Sequence, residues 1–114
     1  MTAYNVGDLV SVEYPFSDLH TVKRRPGLVL VSSSLDLLIA RVTTHPPRDS
    51  SDVALVRWAE AGLPRASTVR LTKLATIDQR LVHHKIGHLH SDDARLIAQT
   101  WESQSTTIAT DLRK

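Results

Sequence analysis

With 114 residues, the chain is long enough to bury one small core and too short for two domains, and no internal period suggests a repeat array. Lys and Arg total 14 against 12 Asp and Glu, so a formal charge of +2 excludes nucleic-acid attraction by a whole-molecule field and leaves only local clustering. There is no cysteine, which excludes disulfides and thiolate chemistry, and no segment approaches membrane-spanning length. The start MTAYNVGDLVSVEY has neither the basic lead nor the unbroken apolar run of a signal peptide, so the expectation is a single soluble cytoplasmic domain over residues 1–114.

In chain order, DLVSVEYPF alternates Val10, Val12 and Tyr14 with Ser11 and Glu13, the period of a strand with one buried face, and Pro15 ends or bends it. Ser17 to Arg25 is polar, with a turn expected at Ser17-Asp18, and reads as a loop. It closes on Lys23, Arg24 and Arg25, three cations directly before Pro26 and the apolar strand GLVLVSS. LLIARVTTH is a further strand, with Leu38, Ala40 and Val42 opposite Ile39, Arg41 and Thr43, and both runs are apolar enough to be central in a sheet. Pro46 to Asp52, PPRDSSD, has no apolar anchor and predicts an exposed, mobile loop. VALVRW resumes the strand pattern, EAGLPRA is a second loop, and STVRL and KLATI are two short strands separated by Thr72. The pattern thus yields roughly six strands.

DQRLVHHKIGHL predicts a short helix capped by Asp78 and broken at Gly87. The period then changes, because Ala94, Ile97, Ala98 and Trp101 share one helical face behind Ser91 as N-cap and Asp92 and Asp93 in the first turn. Short strands followed by helices predict a mainly β, α+β fold, a small bent sheet or partly open barrel with a terminal helix packed on it.

Taken together, GDLVSVEYPF, KRRPGLVLVSS, LIARVTTH, AGLPRASTVRLTKLATIDQRL and KIGHL, in this order before an amphipathic helix, resemble the PemK/MazF family of toxins from toxin–antitoxin systems. The resemblance spans a core of about residues 6–101 and leaves about 104–114 as a C-terminal tail. It implies an SH3-like barrel of the PemK/CcdB type, a homodimer that cleaves single-stranded RNA without a metal or cofactor, and a cognate antitoxin whose tail covers the RNA site.

Metal-free cleavage needs a group to take the 2′-hydroxyl proton, a group to protonate the leaving 5′-oxygen, and positive charge for the phosphorane between them. Arg25 matches the family's Arg before proline, and its planar fork can hold two phosphate oxygens while Pro26 sets the backbone rigidly. Lys23 and Arg24 stand beside it as phosphate-positioning cations or as an ordinary solvated loop end. Thr43 matches the Thr that ends the family's third core strand and can bond a phosphate oxygen or the attacking hydroxyl, although Thr is also an ordinary strand residue. Arg70 corresponds to an Arg in the RNA site of some members and must reach solvent or a partner.

His20 lies near where one branch of the family carries a loop histidine and is the expected proton-transfer group. The family's frequent acid two residues after the Arg70 position is Thr72 here, which leaves Thr72 as an RNA-site position without a carboxylate. His83, His84, His88 and His90 invite a metal reading, with His84 and His88 on one helical face, but no acid or cysteine completes a ligand set, and a polar hinge is the simpler reading. Trp58 and Trp101 could stack on bases, with Trp101 placed in the apolar stripe as core or dimer contact. Two other classes stay open: a catalytically silent barrel that only binds RNA or antitoxin, and a CcdB-type topoisomerase-inhibiting toxin.

Overall fold

The computed structural model describes residues 4–13 and 24–114, so the expected bend at Pro15, the Ser17-Asp18 turn, His20 and Lys23 lie outside the described residues. Six strands form one antiparallel sheet: β1 (Asp8–Glu13), β2 (Arg24–Ser32), β3 (Asp36–Thr43), β4 (Asp52–Ala54), β5 (Thr68–Asp78) and β6 (Val82–His88). Their order is β4-β5-β3-β2-β1-β6, which puts β2 and β3 at the centre, where their apolar runs predict them.

Both faces of the sheet are buried, each by a different device. On one face Leu9, Leu28, Ala40, Val42, Val69 and Leu71 pack with the connection between β4 and β5 and with Ile97 of helix α1 (Ser91–Leu112). On the other, Val10, Val12, Val29, Leu37, Ile39 and Ile77 form a second cluster against which Tyr4 and Val82 pack. The sheet rolls around this second cluster. In a flat sheet β5 and β6, four strands apart in the order, would stand about 19 Å from each other at about 4.8 Å per strand. Only the 3-10 turn Gln79–Leu81 joins them, and at about 2 Å rise per residue such a turn spans under roughly 10 Å. The result is an open small barrel with one C-terminal helix.

Several elements differ from the sequence expectation. STVRL and KLATI are one strand, β5, in which Arg70 pairs with Arg41 and Leu74 with Ala40, so Leu71, Thr72 and Lys73 form a bulge. The helix expected from Asp78 is a single 3-10 turn, with the Asp78 side chain accepting from the Arg80 amide as an N-cap should. Beyond it the chain is strand, because Val82, His84 and Lys85 pair with Val12, Ser11 and Val10 and satisfy the outer edge of β1. Gly87 is therefore no helix breaker. A Cβ there would lie 1.8 Å from the Ala61 carbonyl oxygen, and one on Gly62 (φ +95°) would lie 2.6 Å from that of Ile86, so the two glycines let a loop cross β6 backbone to backbone.

VALVRW is strand only as far as Ala54. The next amides are captured by Asp93, whose fully buried carboxylate accepts from Val56 N at 2.9 Å and Arg57 N at 2.8 Å. Trp58 and Trp101, both half-buried, pack on the first core cluster. His90, not Ser91, caps α1, its Nδ1 accepting from Asp92 N at 3.1 Å. The expected tail from about 104 is helical as far as Leu112; Gln104 donates to the Leu71 carbonyl at 2.9 Å, and most residues beyond it are exposed. Among the described residues no helix is long and apolar enough to cross a membrane.

Candidate active site

The strand register assembles the site. Directly opposite residues in an antiparallel sheet project from the same face, and alternate residues along a strand share it. Gly27 pairs with Arg41, Arg41 with Arg70, and Arg70 with Asp52, which makes one row across four strands. Two residues further along β3, Thr43 pairs with Thr68, and on β2 Arg25 pairs with Val12 of β1, the β2–β3 pairing having ended at Gly27 and Arg41. Both rows lie on the face that carries Val29 and Ile39, beyond the end of that apolar cluster, so the cations line the rim of the barrel. Arg25 and Thr43, 18 positions apart in sequence, lie just beyond the last β2–β3 pair and share one face by alternation from Gly27 and Arg41.

Arg24 alternates to the opposite face and pairs in register with Glu13. A recess of ≈ 50 Å³ is lined by Arg41, Thr43, His45, Pro46, Arg48 and Arg70. Thr72 does not line it. The bulge carries Thr72 into a polar groove with Ser50, Ser51 and the α1 residues Gln99, Ser103 and Gln104.

Charge pairing inside the recess is uneven. Arg70 Nε donates to Asp52 Oδ1 at 3.2 Å, and its Nη2 lies 3.9 Å from Asp49 Oδ2. The Asp52 side chain is 1% exposed, and its other oxygen accepts from Arg48 N at 2.9 Å, which folds the Pro46–Asp52 loop around the carboxylate. Asp49 closes a turn by accepting from Ser51 N. The loop expected to be unanchored is thus tied at its C-terminal end by two acids. Arg70 reaches a partner, as a lone charge in a strand must, and that partner is inside the protein. Arg41, by contrast, has a buried Nε without a hydrogen-bond partner, and among the described residues it makes no ion pair.

At the end of β3, Thr43 Oγ1 accepts from His45 N at 3.2 Å, curling the backbone so that the imidazole enters the recess. His45 Nδ1 is 2.8 Å from the Pro46 carbonyl. Sequence reasoning missed Arg41 and His45 as site residues. The signal was present in RVTTH, where a lone charge interrupts an apolar strand and shares its face with Thr43.

The histidines of β6 and the turn after it form no comparable site. His84 and His88, expected one helical turn apart, are four residues apart along a strand, roughly 13 Å. His88 Nδ1 contacts Asp8 Oδ1 at 2.8 Å, and His90 is occupied in capping α1. Among the described residues no group of three His, Cys, Asp or Glu side chains is placed to hold a metal ion.

The family of PemK-like, MazF-like toxins of type II toxin–antitoxin systems matches residues 5–103, nearly the whole chain. This chain belongs to that family. Among solved structures, an endoribonuclease in complex with its cognate antitoxin from a mycobacterial species superposes with a TM-score of 0.69 at 14% identity, covering 86% of this chain and 90% of that one. An endoribonuclease from a mycobacterial species reaches 0.68 at 17% identity, with 88% of each chain covered. The Mycobacterium tuberculosis toxin MazF-mt6 reaches 0.67 at 20% identity, covering 82% of this chain and 90% of that one. At such identities these structures share the MazF-like fold. No curated protein matches the chain in sequence.

Proposed function

We propose that this MazF-like toxin is an endoribonuclease that cuts single-stranded RNA by metal-independent transesterification, leaving a 2′,3′-cyclic phosphate and a 5′-hydroxyl. The observation that carries the reading is the placement of Arg25 and Thr43 on one face at the ends of adjacent strands, each two residues beyond the Gly27–Arg41 pair. A guanidinium fixed by Pro26 and a hydroxyl from the neighbouring strand can converge on one phosphate, the cation stabilising charge that develops on the phosphorane. Thr72 lies outside the recess, so the missing acid takes nothing from that pair. The similar endoribonuclease structures, one of them in complex with its cognate antitoxin, support the same activity and the same kind of partner here.

The toxin acts as a cytoplasmic homodimer held in check by its antitoxin. An apolar groove of ≈ 380 Å³ between β2 and α1, lined by Leu30, Val31, Leu38, Ala98 and Trp101 among others, supports a protein partner, since Val31 is 52% exposed there. The test is cleavage of a long single-stranded RNA with and without chelator. Wild type cleaves in both, and Arg25→Ala keeps its fold while cleaving about 10²- to 10³-fold more slowly, the worth of one preorganised charge contact. Unchanged cleavage by Arg25→Ala, or loss of wild-type cleavage in chelator, overturns the proposal. Inhibition of DNA supercoiling without RNA cleavage would move the protein to the CcdB type.

A further inference from the structure

The recess that Thr43 lines contains a cation, Arg41, whose buried Nε has no hydrogen-bond partner among the described residues. Arg41 stands directly opposite Arg70 across β3 and β5, an arrangement of like charges that destabilises a sheet. Arg70 is neutralised by Asp52 and Asp49, and both acids are spent on it. Arg41 Nε is buried without a partner, which costs free energy that an anion in the recess would return. Across the sheet on its other side is Gly27, which puts no side chain over the guanidinium.

His45 supplies the second half. Its Nδ1 lies 2.8 Å from the Pro46 carbonyl, an acceptor only, so the proton of the neutral ring sits on Nδ1. The 3.3 Å approach of Arg48 Nε to the same nitrogen then carries no hydrogen bond. This tautomer leaves Nε2 with a free lone pair on a side chain exposed in the recess. The Pro46 carbonyl and the His45 amide bonded to Thr43 hold the ring from both ends. Among the described residues that line the recess it is the one imidazole, and Nε2 is its open nitrogen.

We propose that the recess seats the scissile phosphate, with Arg41 gripping its non-bridging oxygens and His45 Nε2 taking the proton from the attacking 2′-hydroxyl. The 2′-oxygen bonds to phosphorus, the P–O5′ bond breaks, and the 5′-oxygen leaves with a proton from water while His45 returns its proton to solvent. This rests on the endoribonuclease reading and assigns its proton acceptor and second phosphate contact to residues of this chain.

Three variants, Arg41→Met, His45→Ala and Arg25→Ala, are compared on one single-stranded RNA, with 2′-O-methyl RNA of the same sequence as an uncleavable binding probe. Arg41→Met unfolds no earlier than wild type, since it removes an unpaired charge, and it weakens binding of the probe. Its log Kd against log salt slope is shallower by about 0.7, the loss of one phosphate contact on a single strand. His45→Ala binds the probe as wild type does but turns over about 10²- to 10⁴-fold more slowly. Free imidazole restores part of that rate, which no purely structural role would allow. If Arg41→Met and His45→Ala cleave like wild type while Arg25→Ala does not, this inference is wrong and the endoribonuclease reading stands. If wild type cleaves no RNA but still binds the probe through Arg41, the reading of the activity fails and the anion site survives.

Discussion

Arg70 carries two incompatible assignments, an RNA contact by family resemblance and a structural cation by geometry, and its removal separates them. In Arg70→Ala the Asp52 carboxylate, 1% exposed, keeps the Arg48 amide at 2.9 Å and loses its only charged donor within hydrogen-bond distance among the described residues. Breaking a buried pair from one side costs about 3–5 kcal/mol, and the 14% exposure of Arg70 argues for the lower end, about 3 kcal/mol. The Asp49 contact at 3.9 Å, with that side chain half exposed, adds well under about 1 kcal/mol. For a domain of this length each kcal/mol is worth about 4 °C, so Tm falls by roughly 12 °C. The double variant Arg70→Met with Asp52→Asn removes both charges, keeps an acceptor for the Arg48 amide, and recovers most of the loss. Thermal unfolding by circular dichroism gives the stabilities, and RNA binding is measured below the lowest transition so that every variant is folded. Geometry expects RNA affinity within about twofold of wild type in the double variant. A single Arg70→Ala variant that holds its Tm within about 2 °C and loses RNA affinity would refute the argument and return Arg70 to the RNA site.

Asp93→Ala strands the Val56 and Arg57 amides beneath the connecting loop, and at about 1.5–3 kcal/mol for each hydrogen bond to a charged acceptor it should cost at least about 3 kcal/mol, read as a lower urea midpoint at unchanged m-value. Gly87→Ala places a Cβ 1.8 Å from a backbone oxygen and should leave little folded protein by near-ultraviolet circular dichroism, whereas an alanine at a mere helix break would be tolerated. Burial alone would raise the pKa of Asp8, but the Asn5 amide, His88 and Lys85 more than reverse this and hold it below the usual aspartate value. A folded-state pKa below the unfolded one stabilises the protein above the unfolded value, near 3.9, and that contribution is lost as pH falls through the lowered one. Urea titrations at pH 7 and pH 3 should therefore show the gap between wild type and Asp8→Asn shrinking in acid, and a gap that stays constant would contradict the assignment.

Strand existence was legible in the sequence wherever one face of a segment is apolar, because burial of alternate residues is a local pattern. Val10 and Val12, the run Leu28 to Val31, and Leu37 to Val42 announce themselves this way, as does the α1 stripe through Ile97 and Trp101. The Arg-Pro junction and Thr43 were singled out by resemblance. Segment 82–88 was not, because VHHKIGH has no apolar alternation; it is a strand because β1 has an edge to be satisfied, and that edge belongs to residues 70 to 80 positions away. Charge state within the site was equally closed to inspection. Arg70 and Arg41 look alike in sequence, each a cation between two apolar residues with Thr two positions on, yet one faces Asp52 and the other faces no carboxylate among the described residues. That difference comes from the β4–β5 register and from the bulge that turns Thr72 away towards α1. Which charge is spent and which is free depends on distances between strands, and a chain sets those only when its sheet closes.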